Sequence, residues 1–314
     1  MKKTKRLFLF AGYDKDGIID DTLVHYLTEL SKLGDIVLVM DCDVADTTKL
    51  SGIKNILHTE LARHNEYDFG SYKRGYIWAH DNKILDKYDW VYLVNDSVYG
   101  PLFDLEPVLC DLESRGVDLI GMTDFFDKDT PKHIQSWFVG VSRMAATSKI
   151  FYDFMCDIKH RNTKDEIVLR YEVGLSRMLL QNGYKMSAYF NQQNNGVHTV
   201  YETPVVILEN FIPFIKKPAL KKLRGIIDLL PYATDEVVDK IHAHAMRFDA
   251  LPDPFNLLPS QYNLLPKYKQ FFRFTLLSLP VITIYKKQEH DCQRVSYKVY
   301  VFDKIPLIKL SKSI

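Results

Sequence analysis

Short apolar runs alternate with segments of helical period over the first two thirds of the chain. Residues 7–11, 36–40 and 90–94 are apolar runs of the kind that fill buried strands. Between the first two, leucines recur three to four residues apart over residues 23–30, which predicts an amphipathic helix. This alternation predicts an α/β domain whose mostly parallel sheet is covered by helices on both faces.

Polar residues follow several of these apolar runs directly. Ligands of parallel α/β sheets bind outside the carboxyl ends of the strands, so these residues are the first candidates for a site. They are Tyr13, Asp14 and Asp16 after the first run, Asp41 and Asp43 after the second, and Asn95, Asp96 and Ser97 after residues 90–94. An oxygen-rich trio such as the last suits a hard divalent cation that holds a diphosphate, but it also suits a turn with local backbone hydrogen bonds.

Residues 63–73 place charged and polar side chains just before a predicted helix. A helix start offers free N–H groups to phosphate oxygens, and Arg63 and Lys73 would complement a diphosphate. Asp68 would then accept the hydroxyl groups of a ribose. The alternative is a loop in which Asp68 or Ser71 caps the helix.

Three further residues are candidates for chemistry. Glu172 begins an amphipathic segment, where a carboxylate is either a favourable partner of the helix dipole or a general base across the cleft. His133 precedes an apolar run, and histidines in that position more often have a structural role. His198 follows the amide-rich residues 191–195 and is a weaker candidate ligand for a metal or a phosphate.

Composition excludes several classes of protein. The chain has 314 residues, of which 46% are hydrophobic and 26% charged, so it can bury a large core and is not disordered. Lys+Arg 41 against Asp+Glu 40 gives a formal net charge of +1, which argues against a nucleic-acid partner. The 4 cysteines form no CxxC pair, so we expect a protein of the reducing cytoplasm. No apolar run approaches the roughly 20 residues of a spanning helix.

The pattern changes after about residue 210, where prolines cluster and aromatic residues alternate with lysines. Residues 1–210 carry 24 basic and 31 acidic side chains, a net charge of −7, whereas residues 211–314 carry 17 and 9, a net charge of +8. We therefore predict a main α/β domain over residues 1–210 and an irregular, mainly helical, basic extension over residues 211–314. The extension, including Lys216 and Lys217, is either a solvated face or a contact with an anionic membrane surface.

Five sequence strings together give the chain a resemblance to a known family. They are residues 11–21, 65–73, 94–101, 133–138 and 212–216. With them the chain resembles the rhamnan synthesis protein F family, bacterial glycosyltransferases of polysaccharide assembly, over about residues 6–217. Glu66 departs from the pattern, because a glycine is expected before the Tyr-Asp-Phe-Gly string.

The resemblance implies a GT-A-like fold with a nucleotide-sugar site at the carboxyl edge of the sheet. The Asp-X-Asp element of that fold here reads Asn95-Asp96-Ser97, with one carboxylate. Glu172 looks like the catalytic base of inverting enzymes, with His133 as a second catalytic residue. Mg²⁺ or Mn²⁺ is the expected cofactor, with Asp96 and His198 as its ligands. The expected donor-binding residues are Tyr13, Asp14, Asp16, Asp41, Arg63, Asn65, Asp68, Lys73, Asn95, Asp96 and Ser97.

The implied reaction is an inverting transfer of rhamnose from dTDP-L-rhamnose to a growing, lipid-linked glycan. The expected location is the cytoplasm, at the inner face of the plasma membrane. One alternative is a non-catalytic nucleotide-sugar-binding or scaffold subunit, and another is a flavodoxin-like regulatory domain, against which the length of the chain argues. The enzyme hypothesis requires that Asp68, Asp96 and Glu172 converge on one crevice.

Overall fold

The computed structural model describes residues 4–191, 198–223 and 225–251, together with the backbone of four strands between residues 268 and 313. The first ten strands are β1 (Arg6–Gly12), β2 (Asp35–Met40), β3 (Ile56–Leu61), β4 (Trp90–Asn95), β5 (Val98–Tyr99), β6 (Leu119–Phe125), β7 (His133–Ile134), β8 (Phe138–Ser142), β9 (Met186–Phe190) and β10 (Ile215–Lys216).

Eight of these strands form the central sheet, in the order β3-β2-β1-β4-β8-β6-β7, with β9 paired to β6. β1, β2, β3 and β4 are mutually parallel, β8 is antiparallel to β4 and β6, and β9 is parallel to β6. The register pairs Ala11 with Asn95 and Gly12 with Met40, so β1, β2 and β4 end at the same edge. The predicted mainly parallel α/β sheet is therefore confirmed.

Helices cover both faces of this sheet. They are α1 (Asp21–Ser31), α2 (Tyr67–Asp81), α3 (Glu106–Glu113), α4 (Arg143–Ala146), α5 (Lys149–Cys156), α6 (Lys164–Ile167), α7 (Val173–Gln181), α8 (Thr199–Glu202), α9 (Pro204–Glu209) and α10 (Asp235–Arg247). Successive residues of a strand point to opposite faces, so Phe8 and Phe10 share a core with α1 and α3, whereas Leu7 and Leu9 share one with α2 and α5.

Two helix starts differ in how they are capped. Asp20 caps α1 and accepts a hydrogen bond from the N–H of Leu23 at 2.9 Å. Neither Asp68 nor Ser71 caps α2, whose capping residue Glu66 makes no side-chain capping bond. That prediction is wrong because Asp68 lies inside the first turn and bonds to Asn95, while the Ser71 hydroxyl bonds to His64.

The extension is helical only in part. Between residues 211 and 251 it contains α10 and short 3₁₀ turns, and this part shares a core with Tyr99 and Leu102 of the sheet domain. Beyond them, β11 (Tyr268–Leu276), β12 (Leu279–Gln288), β13 (Arg294–Val301) and β14 (Ile305–Ser313) form an antiparallel sheet. The prediction of irregular helices is wrong for this segment, because β-branched and aromatic residues favour strands despite the intervening lysines. The boundary at residue 210 stays a prediction.

Of the helices in the described part of the chain, none is long and apolar enough to cross a lipid bilayer.

Candidate active site

Two cavities open at the carboxyl edge of the parallel strands. The large cavity, about 450 Å³, is lined by residues that follow β1, β2 and β4 and by the start of α2. The small cavity, about 220 Å³, lies between the start of α2, the residues after β7, and Glu172. Tyr67 and Asp68 line both cavities, so the two adjoin at the first turn of α2.

Hydrogen bonds hold the loop that lines the large cavity, and an aromatic ring lies at its rim. Asp41 Oδ1 accepts the backbone N–H groups of His64 at 2.7 Å and Asn65 at 2.8 Å, which fixes the loop before α2. Asn65 has φ +58°, a left-handed conformation that asparagine tolerates better than most residues. The Arg63 guanidinium lies 5.2 Å from the ring centroid of the half-exposed Tyr13. A flat aromatic ring beside a cation suits a planar base that carries phosphates.

The end of β4 connects the two cavities through hydrogen bonds. Asn95 Nδ2 donates to Asp68 Oδ2 at 2.7 Å, and the N–H and O–H of Ser97 donate to Asn95 Oδ1 at 3.1 and 2.5 Å. Asp96 Oδ2 accepts the N–H of Tyr13 at 3.0 Å. Burial and the nearby Asp96 carboxylate raise the pKa of Asp68 to about 6, and burial also raises the pKa of Asp96. Two carboxylates that repel each other, Asp68 and Asp96, thus lie where the two cavities approach the end of β4.

Glu172 projects into the small cavity from a break in helical geometry. It ends a π-helical turn over Val168–Glu172, directly before α7, and π-turns of this kind are frequent at functional sites. Its Oε2 accepts the Ser136 N–H at 2.6 Å and the Ser136 hydroxyl, while Oε1 lies 3.4 Å from His133 Nε2. Burial raises the pKa of Glu172, but the hydrogen bonds from His133 and Ser136 outweigh it and hold the pKa below its ordinary value.

His133 forms the second half of this pair. Its Nδ1 donates to the Pro131 carbonyl oxygen at 2.9 Å, which leaves Nε2 to face Glu172. Burial lowers the pKa of His133, but the hydrogen bond to Glu172 prevails and raises it. The pair therefore favours the ionised form of Glu172, which can accept a proton, and favours a protonated His133 more than an isolated imidazole would.

Lys216 is a site residue that the sequence analysis placed elsewhere. We expected it on a basic surface, either solvated or facing an anionic membrane, but it is 7% exposed and lines the small cavity. Burial lowers its pKa to about 8. The pairing of β10 with β5 carries it inward, a long-range contact that no local pattern signals. The signal in the sequence that could have assigned Lys216 to the site was the family string at residues 212–216, which ends on this lysine.

Three predicted donor-binding residues have other partners. Asp14 forms an ion pair with Arg247 of α10, and Asp16 Oδ2 lies 3.7 Å from the same guanidinium. Lys73 Nζ donates to the Ile158 carbonyl oxygen at 2.8 Å and lies 3.3 Å from Glu66. Within the described residues, none of the three is among those that line either cavity.

The predicted metal ligands do not come together. Asp96 lines the large cavity, whereas His198 lines the small one, with its ring stacked 3.7 Å from that of Phe125. In the described ranges no three His, Cys, Asp or Glu side chains gather as a metal site. Asp96 Oδ2 already accepts the Tyr13 N–H and lies 4.0 Å from the Lys217 ammonium. These residues do not fit a resident divalent cation, and the expected Mg²⁺ or Mn²⁺ stays a prediction.

A mainly parallel α/β sheet with polar cavities at its carboxyl edge is the arrangement of a ligand-binding α/β protein. Residues 36–302 match the model of the rhamnan synthesis protein F family, and the chain belongs to that family. Membership supports a glycosyltransferase role in polysaccharide synthesis.

A comparison with solved structures finds the crystal structure of S. aureus TarS, with 11% sequence identity and a TM-score of 0.34. The match covers 95% of this chain and 64% of TarS, so the chain spans less than two thirds of that structure's length. A comparison with curated proteins finds no match.

Proposed function

We propose that this protein is a glycosyltransferase that moves a sugar from a nucleotide-diphosphosugar to a growing cell-surface polysaccharide. The observation that carries this proposal is the pair of adjoining cavities, which meet at Asp68. The large cavity offers an aromatic and cationic rim, and the small cavity offers an ionised carboxylate, Glu172. Membership in a family of polysaccharide synthesis supports the same function.

In this mechanism the nucleotide lies in the large cavity, with its base against Tyr13 and Arg63. The diphosphate crosses the end of β4, and the sugar enters the small cavity. Glu172 removes the proton from an acceptor hydroxyl, whose oxygen forms a bond to the anomeric carbon. The bond from that carbon to the diphosphate oxygen breaks, and its electron pair leaves with the diphosphate. Attack from the face opposite the leaving group inverts the anomeric centre.

Ser136 and His133 have defined roles in this step. The two hydrogen bonds from Ser136 orient the carboxylate of Glu172, and the His133 imidazolium keeps it ionised before the acceptor arrives. The acceptor hydroxyl becomes acidic as its oxygen bonds to the positively charged sugar, so a carboxylate of low pKa can still take the proton. We propose dTDP-L-rhamnose as the first donor to test and a lipid-linked glycan as the acceptor.

Donor binding is tested by a melting-temperature screen against nucleoside diphosphates and nucleotide-diphosphosugars. A ligand at a hundred times its Kd stabilises the folded protein by about 2.7 kcal/mol, which such a screen detects easily. Arg63→Ala should weaken donor binding about tenfold to a hundredfold, because it removes a charged hydrogen-bonding and stacking partner. Arg177→Ala, at an exposed arginine of α7, is the matched control and should bind as the wild type does. No stabilisation by any nucleotide, or full affinity in Arg63→Ala, would contradict the proposal.

Contact of the basic extension with an anionic membrane is a further part of this proposal. Each basic residue near an anionic leaflet contributes about 1 kcal/mol, and salt screens this attraction. We expect the protein to co-sediment with vesicles that contain anionic lipid at low salt, and to be released at high salt. Equal binding to neutral vesicles, or binding to neither kind, would exclude this contact.

A further inference from the structure

The segment that carries Lys216 and Lys217 is fixed to the strand end that bears Asp96. In the short antiparallel pair of β5 and β10, Lys216 is the partner of Val98. The Lys217 N–H donates to the Ser97 carbonyl oxygen at 3.0 Å. The backbone therefore holds two consecutive lysines against the residue that follows Asp96, where a GT-A-like strand end would place a metal.

Lys216 points into the small cavity, and among the described residues no carboxylate lies within ion-pair distance of its ammonium group. Its Nζ donates to the Ser97 hydroxyl, a neutral group, at 2.7 Å. The same ammonium lies 5.4 Å from the ring centroid of Trp137 and 5.8 Å from that of Tyr201, so aromatic faces support its charge. A buried ammonium with such partners gains most from an anion that enters the cavity.

Lys217 lies beside the same strand end but lines neither cavity. Its Nζ lies 4.0 Å from Asp96 Oδ2 and 5.8 Å from the ring centroid of Tyr99. Asp96 lines the large cavity, so Lys217 adds positive charge there through its contact with Asp96, whereas Lys216 reaches the small cavity directly. A diphosphate that spans both cavities would pass close to the ammonium of Lys216.

We propose that Lys216 binds the diphosphate of the donor and stabilises its departing charge, with Lys217 adding positive charge beside Asp96, so that transfer requires no divalent cation. This inference rests on the proposed glycosyltransferase function. As the bond from the anomeric carbon to the diphosphate oxygen breaks, the electron pair stays on that oxygen, and the Lys216 ammonium donates a hydrogen bond to it. The acceptor proton goes to Glu172, and the lysines keep theirs. Fixed cations at a departing phosphate supply the stabilisation that a metal would otherwise give.

The proposal predicts a dependence on pH. Lys216 binds the diphosphate only while protonated, and burial lowers its pKa to about 8. Glu172, Asp68 and Asp96 face it and favour the charged form, whereas Lys164 opposes it. The kcat/KM for the donor should therefore fall as the pH rises through about 8, and bound diphosphate should move the corresponding fall in kcat to higher pH.

Lys216→Met and Lys217→Met test the proposal, with Lys221→Met as a matched control on an exposed lysine of the same 3₁₀ segment, Lys217–Lys222. We expect Lys216→Met to lose about a hundredfold in kcat/KM, the scale for removal of one preorganised donor, and Lys217→Met about tenfold. Lys221→Met should keep the wild-type value. Lys216→Arg should recover part of the loss, which separates the cationic role from a packing role. EDTA should leave wild-type turnover unchanged.

Loss of turnover in EDTA with recovery on added Mn²⁺, or Lys216→Met within threefold of the wild type, would overturn the inference. Binding of the nucleoside diphosphate, measured by calorimetry on each variant, checks that the cavities are intact. If the wild type binds donor and transfers sugar, and the lysine variants do so equally well, only the role of the lysines is contradicted. A wild-type protein that neither binds nor transfers contradicts the proposed function itself.

Discussion

Glu172→Gln should reduce sugar transfer by at least about a hundredfold, the usual scale for loss of a general base. The glutamine amide has nearly the same shape, and its oxygen can still accept the hydrogen bonds from Ser136. It cannot take a proton, and it no longer favours the imidazolium of His133. We therefore expect kcat to fall while the Kd for the donor stays within about threefold of wild type.

The measurement is release of nucleoside diphosphate from the donor that the melting screen identifies, with acceptor glycan supplied. Glu166→Gln, at an exposed carboxylate of α6, is the matched control and should keep full turnover. Turnover of Glu172→Gln near the wild-type level would remove Glu172 from the mechanism. If the wild type binds donor tightly yet releases no diphosphate, the scaffold alternative gains over the enzyme hypothesis.

Glu113→Ala should cause a large loss of stability, about 3–5 kcal/mol in the free energy of unfolding. Arg6 of β1 is 2% exposed and makes two hydrogen bonds to the Glu113 carboxylate, at 2.6 and 2.8 Å. The Tyr92 hydroxyl donates to the same carboxylate at 2.7 Å. Removal of the carboxylate leaves a buried guanidinium with only the half-exposed Glu106, at 3.9 Å, as a counter-ion, and a buried hydroxyl without its acceptor.

Glu106→Ala provides the control for this prediction. Glu106 lies 3.9 Å from Arg6, but its side chain is 48% exposed, so its loss should cost less than about 1 kcal/mol. Urea unfolding followed by tryptophan fluorescence measures both variants. Equal losses for Glu106→Ala and Glu113→Ala would show that burial does not set the strength of this pair.

The sheet and the position of the site could be predicted from the sequence. Apolar runs bounded by polar residues locate the parallel strands, and the rule on carboxyl ends then places Tyr13, Asp41 and Asp96 at one edge. The structure brings Asp68 to both cavities and Glu172 to the small one. Glu172 needed the family resemblance, because its residue type alone favours a simple partner of the helix dipole.

Contacts between distant segments account for what the sequence did not show. Asp14 is bound by Arg247, which lies 233 positions further along the chain, so a strand-end aspartate became a structural partner. Lys216 reaches the small cavity through the pairing of two-residue strands, which are too short to leave a periodic signal. The ion pair of His133 with Glu172 could not be predicted from the sequence either, because the two residues lie far apart along the chain.

A crystal structure of the protein with the best-binding nucleotide-diphosphosugar would show directly whether one donor spans both cavities. We expect the base against Tyr13 and Arg63, the diphosphate beside Lys216, and the anomeric carbon of the sugar facing Glu172 in the small cavity. A donor bound away from these two cavities, or one whose sugar points away from Glu172, would contradict this expectation.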